Sequence, residues 1–232
     1  MPTWKADAIA DLLLGEIAAG VFRPEQVLPT EHELMERFDA SRGSVREALK
    51  QLEVHGLVEA RRKRGTVVVD PRSSTSAVVL RALVRESEKK GDPKLRGDVL
   101  EIRTALLTLA CTLARKRATP MDHMTLKGAL SLLAQATPKH RPAALLSFWS
   151  AVNSIARNDA LVLLTHWYRV AMRDIPIPSE VDLRAFERVV AWIIEPPSRS
   201  RSGEEGFSQI LALVEATATR RDSSRPPPKK KK

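Results

Sequence analysis

Within about 40 residues the chain sets down, in order, a helix start, a tight turn, a cationic helix and a basic hairpin, and few folds satisfy all four together. Thr30 and Glu33 have capping-box spacing, and Leu34, Met35 and Phe38 supply the buried face of a helix that ends near Phe38. Upstream, Ile9, Leu12, Leu13 and Ile17 recur at helical spacing, predicting a helix over roughly 5–19 that Gly20 stops. Asp39-Ala40-Ser41 forms the turn, and Ser41 is a suitable N-cap for a third helix, although Ser44 and Glu47 also fit a capping box and leave its start open. On that helix Val45, Ala48, Leu49 and Leu52 share one stripe, while Arg42, Arg46 and Lys50 line a neighbouring one. After Gly56, two β-prone runs, 57–60 and 66–69, flank Arg61-Arg62-Lys63-Arg64-Gly65 and read as a hairpin with a basic tip. The fold class expected is therefore mainly α, opening on a winged helix-turn-helix of three helices plus a β-hairpin wing over 1–70.

Charge distribution, more than its sum, supports a nucleic-acid partner. The net charge is +10, yet residues 1–70 hold ten Lys/Arg against twelve Asp/Glu. Residues 41–64 reverse that balance, with seven cations against three anions. An α-helix fits the major groove, and an arginine there can donate two hydrogen bonds to guanine O6 and N7, a role that suits Arg42 and Arg46. Cations at the hairpin tip suit phosphates or the minor groove. Taken alone, an Arg42, Arg46, Lys50 stripe is an ordinary solvated helix face; its place between a helix-turn-helix and a basic hairpin gives it another meaning. The candidate DNA contacts are His32, Ser41, Arg42, Ser44, Arg46, Lys50, Arg62, Lys63, Arg64, Gly65 and Thr66.

Residues 9–69 resemble the DNA-binding head of the GntR family of bacterial regulators. The likeness lies in the run from Gly20 to Leu34, in Ser41-Arg42-Gly43-Ser44-Val45-Arg46-Glu47-Ala48-Leu49, and in His55-Gly56-Leu57-Val58-Glu59 with Arg64-Gly65-Thr66. It implies a homodimer reading a short palindromic operator in double-stranded DNA, with Arg42 and Arg46 in the major groove and the Gly65 wing tip near the minor groove. Three residues depart from the family pattern: Asp39 replaces a turn glycine, His32 an arginine, and Lys63 a wing-tip glycine. Asp tolerates a left-handed backbone better than most residues, so the turn at Asp39 is expected to persist.

Residues 71–76 are polar and read as a linker, after which helical patterns recur over 77–221. Candidates span 77–89, 96–117, 121–135, 142–156, 160–173, 180–194 and 204–220, broken at proline, glycine and Asn-Asp positions. An all-helical effector-binding and dimerisation bundle is expected. It resembles the effector domain of the FadR branch, also called the FCD domain, through the run from Val99 to Leu106, Phe148-Trp149, and the run from Ala156 to Leu161. Many such domains hold a divalent metal with an Asp, a His one turn later and two further histidines. Here those positions fall on Leu145 and Trp149, and near Phe186 and Ser208, none of which suits a metal; His123, His140 and His166 lack ligand spacing. No metal or other cofactor is expected.

The missing ligand set brings the bundle closer to the fatty-acyl-CoA-responsive FadR type. A pocket lined by Leu145, Phe148, Trp149, Val152, Leu164, Trp167 and Tyr168 could accept an acyl chain, with Arg103 facing an anionic group; an apolar core would give the same pattern. The single cysteine, Cys111, lies in an apolar run and reads as a buried thiol. Residues 222–232, ending in Pro226-Pro227-Pro228 and four lysines, read as a disordered basic tail able to add non-specific attraction to DNA.

No apolar run approaches the ~20 residues of a membrane span, and no secretory signal is visible, so a cytoplasmic, nucleoid-associated protein is expected. Phosphate loops, nucleophile elbows, zinc-protease pairs and C-x-x-C sites are all missing, which argues against an enzyme. The expected function is a ligand-responsive transcription regulator, a repressor by preference, with a DNA-binding architectural protein lacking an effector as the alternative.

Overall fold

A computed structural model describes residues 5–92, 94–173 and 181–195. The described residues form nine α-helices and one two-stranded antiparallel hairpin, in two compact units. Of the described residues, the first takes 5–92, 94–98 and 167–173, and the second takes 99–166 and 181–195.

The first unit opens with α1 (Ala6–Ala19), α2 (Glu31–Phe38) and α3 (Arg42–Val54), each bounded by a device visible in the sequence. Gly20 ends α1 in the left-handed region, at φ 82°. Thr30 and Glu33 close a reciprocal capping box on α2, and Asp39 ends that helix at φ 44°, so the aspartate does keep the turn that a glycine would make. Ser41 caps α3 by accepting from the Ser44 N–H, which settles where that helix begins. Ile9, Leu13 and Ile17 from α1, Leu34 and Phe38 from α2, and Val45, Ala48 and Leu52 from α3 meet in one core. Each fully buried Leu or Ile there contributes roughly 1.5–3 kcal/mol of transfer free energy. Gln51 donates to Asp7 at 2.8 Å, and Arg37 pairs with Glu16, fixing α3 and α2 against α1 from the rim.

The hairpin pairs β1 (Val58–Arg61) with β2 (Gly65–Val68) in a register that sets Val58 opposite Val68 and Arg61 opposite Gly65. A third extended stretch lies along β2. Glu25 N donates to Val68 O, Leu28 N to Thr66 O, and Val68 N to Gln26 O, while Val27 bridges to Val67. The wing is thus tied at its outer edge to the segment between α1 and α2. Gly65 is required there: its φ is 93°, and a Cβ would stand 3.3 Å from Val27 Cγ1.

The segment read as a linker has structure of its own. Asp70 caps a single 3₁₀ turn, Pro71–Ser73, with Pro71 buried, and Ser76 caps α4 (Ala77–Lys89). That helix packs on α1 and places Val79 in the core of the DNA-binding head.

The remaining helices are α5 (Lys94–Arg117), α6 (Pro120–Gln135), α7 (Arg141–Ile155), α8 (Asp159–Ala171) and α9 (Leu183–Ile194). Together with α4 they fall within two residues of six predicted spans, apart from a three-residue difference at the start of α9; the helix expected over 204–220 lies outside the described residues. The second unit is built around Phe148, Phe186, Leu126, Leu133, Leu161 and Ile193, all buried. Phe148 stacks edge-on against both Trp149 and Phe186, with centroids 5.3 and 5.1 Å apart. Cys111 lies in the same core, where burial pushes its thiol up to about 12.

Candidate nucleic-acid interface

Helix α3 has two faces because its sequence has two stripes. Val45, Ala48 and Leu52 are buried, and Arg42, Arg46 and Lys50 are exposed along a line one helical turn apart. The exposed line begins at the N-terminus of the helix, directly after the Asp39 turn. Ser41 and Ser44, also expected to face DNA, are engaged with each other: their hydroxyls lie 3.0 Å apart while Ser41 caps the helix. His32, exposed on α2, lies 3.4 Å from Glu36 one turn later.

At the wing, Arg62, Lys63 and Arg64 are exposed, and Thr66 is half-buried with its carbonyl accepting from Leu28. Lys63 stands at φ 65°, the left-handed conformation that explains why a glycine would suit this position. Arg64 N closes the turn by donating to Arg61 O at 3.1 Å.

Carboxylates that the sequence reading passed over organise these cations. Arg61 is held between Glu25 and Glu59, with its Nη2 donating to Glu25 Oε1 at 2.8 Å; it braces the wing and is not one of its outward cations. Glu25 also reaches Arg64 at 3.7 Å. Its carboxyl is held below the ordinary glutamate range, chiefly by the hydrogen bond from Arg61 and further by the charges of Arg61 and Arg64. On α2, Glu31 lies 3.6 Å from Arg46 Nε. The charge count over 1–70 hinted at these acids, but only the fold assigns each to a partner.

The candidate ligand-pocket residues are divided between the units. Leu145 and Val152 are buried in the core of the second unit, and Trp149 packs against that core. Trp167 and Tyr168 belong to the first, where the Trp167 indole N–H donates to Thr75 O at 3.0 Å. Arg103 is half-buried on α5. Phe186 is buried with Leu145 in one core, and Ser208 lies outside the described residues. His140 pairs with Thr137 at the start of α7. Among the described residues, no group of three or more His, Cys, Asp or Glu is placed to hold a metal, and no helix is long and apolar enough to cross a membrane.

Residues 5–68 match the family model "Bacterial regulatory proteins, gntR family", a span that runs from the start of α1 to the end of β2. The chain is 40% identical over 218 residues to an uncharacterized HTH-type transcriptional regulator of Mycobacterium tuberculosis, covering 89% of this chain and 88% of that one. It is 32% identical over 127 residues to the galactonate operon transcriptional repressor of Escherichia coli, covering 55% of each. In fold it is similar to Lar, which controls expression of the Listeria monocytogenes agr system, with a TM-score of 0.52 at 16% identity over 94% of this chain and 96% of that one. These relatives are regulators and not enzymes. With a cationic helix and wing at the matched head, and a 40% identical regulator along most of its length, the chain belongs to the GntR family of DNA-binding transcription regulators.

Proposed function

We propose that the protein is a homodimeric repressor of the FadR type that reads a palindromic operator and lets go of it when a small acidic metabolite binds. The observation that carries this reading is the exposed line of Arg42, Arg46 and Lys50 on α3, set opposite a buried stripe that fixes the helix to the head. Arg42 and Arg46 donate to base edges in the major groove; Lys50, Ser41, Ser44 and His32 serve the adjacent backbone. Arg62, Lys63, Arg64, Gly65 and Thr66 lie along the neighbouring phosphates and minor groove. Such a protein works in the cytoplasm, on the nucleoid. The head over 1–70 reads, and the bundle over 77–221 dimerises and senses.

Repression is supported by the relative that represses the galactonate operon. An anionic effector is supported by galactonate, the sugar-acid anion in that relative's name, and by the half-buried Arg103. Fatty acyl-CoA is the candidate that the apolar Leu145, Trp149 and Val152 stripe favours; Leu145 and Val152 already fill a core, so a chain would have to open it.

The test is selection of duplexes from a randomised pool with the full-length protein, followed by measurement of complex mass. A palindromic consensus bound by two chains supports the reading, and no enriched sequence overturns it. Titrating sugar acids and acyl-CoAs of several chain lengths into the complex identifies the effector class. Undiminished operator affinity with every compound, together with no heat of binding, removes the ligand-responsive part and leaves a DNA-binding protein without an effector.

A further inference from the structure

Glu31 is the first residue of α2, and its position is unusually well fixed. The Thr30–Glu33 capping box sets the turn on which it stands, and the buried Leu34 holds α2 against the head core. Its carboxylate lies 3.6 Å from Arg46, on the Nε side of the guanidinium. Arg46 itself stands between two like charges one turn away on either side, Arg42 and Lys50, which repel it. Glu31 supplies an opposite charge from a different helix. It is half-shielded, with 43% side-chain exposure against 70% for Arg46, so the attraction is screened less than between two fully exposed charges.

A guanidinium presents two edges able to make paired hydrogen bonds, one through Nε and one through the two terminal nitrogens. At 3.6 Å from Nε, Glu31 is too far for a hydrogen bond; its charge attracts the guanidinium from that side and leaves the second edge, which points along the side-chain axis, to the DNA. That terminal edge matches guanine O6 and N7.

We propose that Glu31 is a positioning residue for Arg46: its charge draws the Nε side of the guanidinium toward α2 so that the terminal nitrogens meet one guanine, and it repels phosphate when that guanine is missing. Glu31 therefore acts twice on specificity. On the operator it lowers the freedom that Arg46 gives up on binding, and on other sequences it leaves a carboxylate close to the DNA backbone with no compensating contact. The proposal rests on α3 being the reading helix.

The experiment uses the full chain and a duplex selected from a randomised pool, together with a panel of single base-pair replacements and a scrambled duplex. Glu31→Ala, Glu31→Gln, Arg46→Ala and the double variant Glu31→Ala/Arg46→Ala are titrated against each, with circular dichroism as the fold control. Glu31→Ala is expected to lose about twofold to fivefold on the selected duplex, bind the scrambled one more tightly, and relax the same base pair that Arg46→Ala relaxes. Glu31→Gln, which keeps an acceptor oxygen but no charge, falls between. The double variant binds the selected duplex as Arg46→Ala does. Additive losses, or a Glu31→Ala gain of equal size on both duplexes, overturn the proposal while leaving α3 as the reading helix. If Arg46→Ala alone leaves the selected duplex bound as tightly as before, the reading of α3 falls, and the positioning role falls with it.

Discussion

His55 Nδ1 lies 3.0 Å from Ser76 Oγ, which joins the residue that ends α3 to the one that begins α4. Ser74 completes the clasp by donating its hydroxyl to His55 O at 2.7 Å and accepting from Ser76 N at 3.0 Å. Ser76 also accepts from Val78 N as the cap of α4. Ser76→Ala removes the cap and the histidine contact together, and a lost cap costs about 1 kcal/mol. Thermal unfolding followed by circular dichroism should show a fall of about 2–4 °C for a chain of this size. An unchanged midpoint would mean that the clasp forms without stabilising.

Asp122 accepts three hydrogen bonds of 2.7 Å, from Thr119 N, Thr119 Oγ1 and Arg157 Nη2. Those from Thr119, then that from Arg157, hold its carboxyl down to about 2, from an ordinary value of 3.8. A depressed folded value means that the ionised form stabilises the fold above pH ~4, and that this contribution is lost as pH falls through about 2. Asp122→Asn should therefore melt below the native chain at neutral pH, with the gap closing as pH drops from about 4 toward 2. Melting temperatures of both proteins across that range check it. A gap that stays constant with pH would show that shape, not charge, matters at this cap.

Lys63 carries two opposed demands. Its φ of 65° is strained for a side chain bearing a Cβ, and its exposed charge suits a phosphate. Lys63→Gly should raise unfolding free energy by about 0.5–1 kcal/mol by relieving the backbone. The same variant should bind all duplexes more weakly, with the slope of affinity against salt reduced by about one. Chemical denaturation and titration at two salt concentrations measure the two effects separately. A stability loss would show that Lys63 makes a wing contact whose value exceeds the strain.

Much of this fold was legible because its elements announce their own ends. The Thr30–Glu33 box, Ser41, Asp39 and Gly20 are local signals, and each produced the boundary it implied. The extended stretch at Val27 was not legible, since a strand this short acquires its identity from Val67, forty residues further on. Nor was the order in 71–76, where a polar composition hides an Asp70 cap and two serines whose partner is His55. In the site, the cationic stripe followed from helical period alone. The partners Glu25 and Glu31 did not, because no spacing rule states which carboxylate a tertiary fold brings to a guanidinium. Leu145, Trp149 and Val152 illustrate a different limit: helical spacing cannot separate a pocket wall from a core, and Leu145 and Val152 are core.

Arg42, Arg46 and Arg64 distinguish reading from attraction. Arg42 and Arg46 lie one turn apart on the exposed face of α3, opposite Val45, Ala48 and Leu52, so neither supports the core. Arg46→Ala should cost ~1–3 kcal/mol on the selected operator and less on scrambled DNA, because a bidentate contact to guanine has no equivalent elsewhere. Arg42→Ala should behave alike at a second base position. Arg64 sits at the wing, 53% exposed and 3.7 Å from Glu25, and its proposed partner is a phosphate. Arg64→Ala should weaken both duplexes about equally and flatten the salt dependence, as a lost phosphate contact does. Because Glu25 remains paired with Arg61 in that variant, the wing should keep its fold. Titration of the three variants against operator and scrambled duplex at two salt concentrations, with circular dichroism as control, checks all of this. Folded Arg42→Ala and Arg46→Ala proteins that bind the operator as tightly as the native chain would remove α3 from the interface and shift the reading role to the wing.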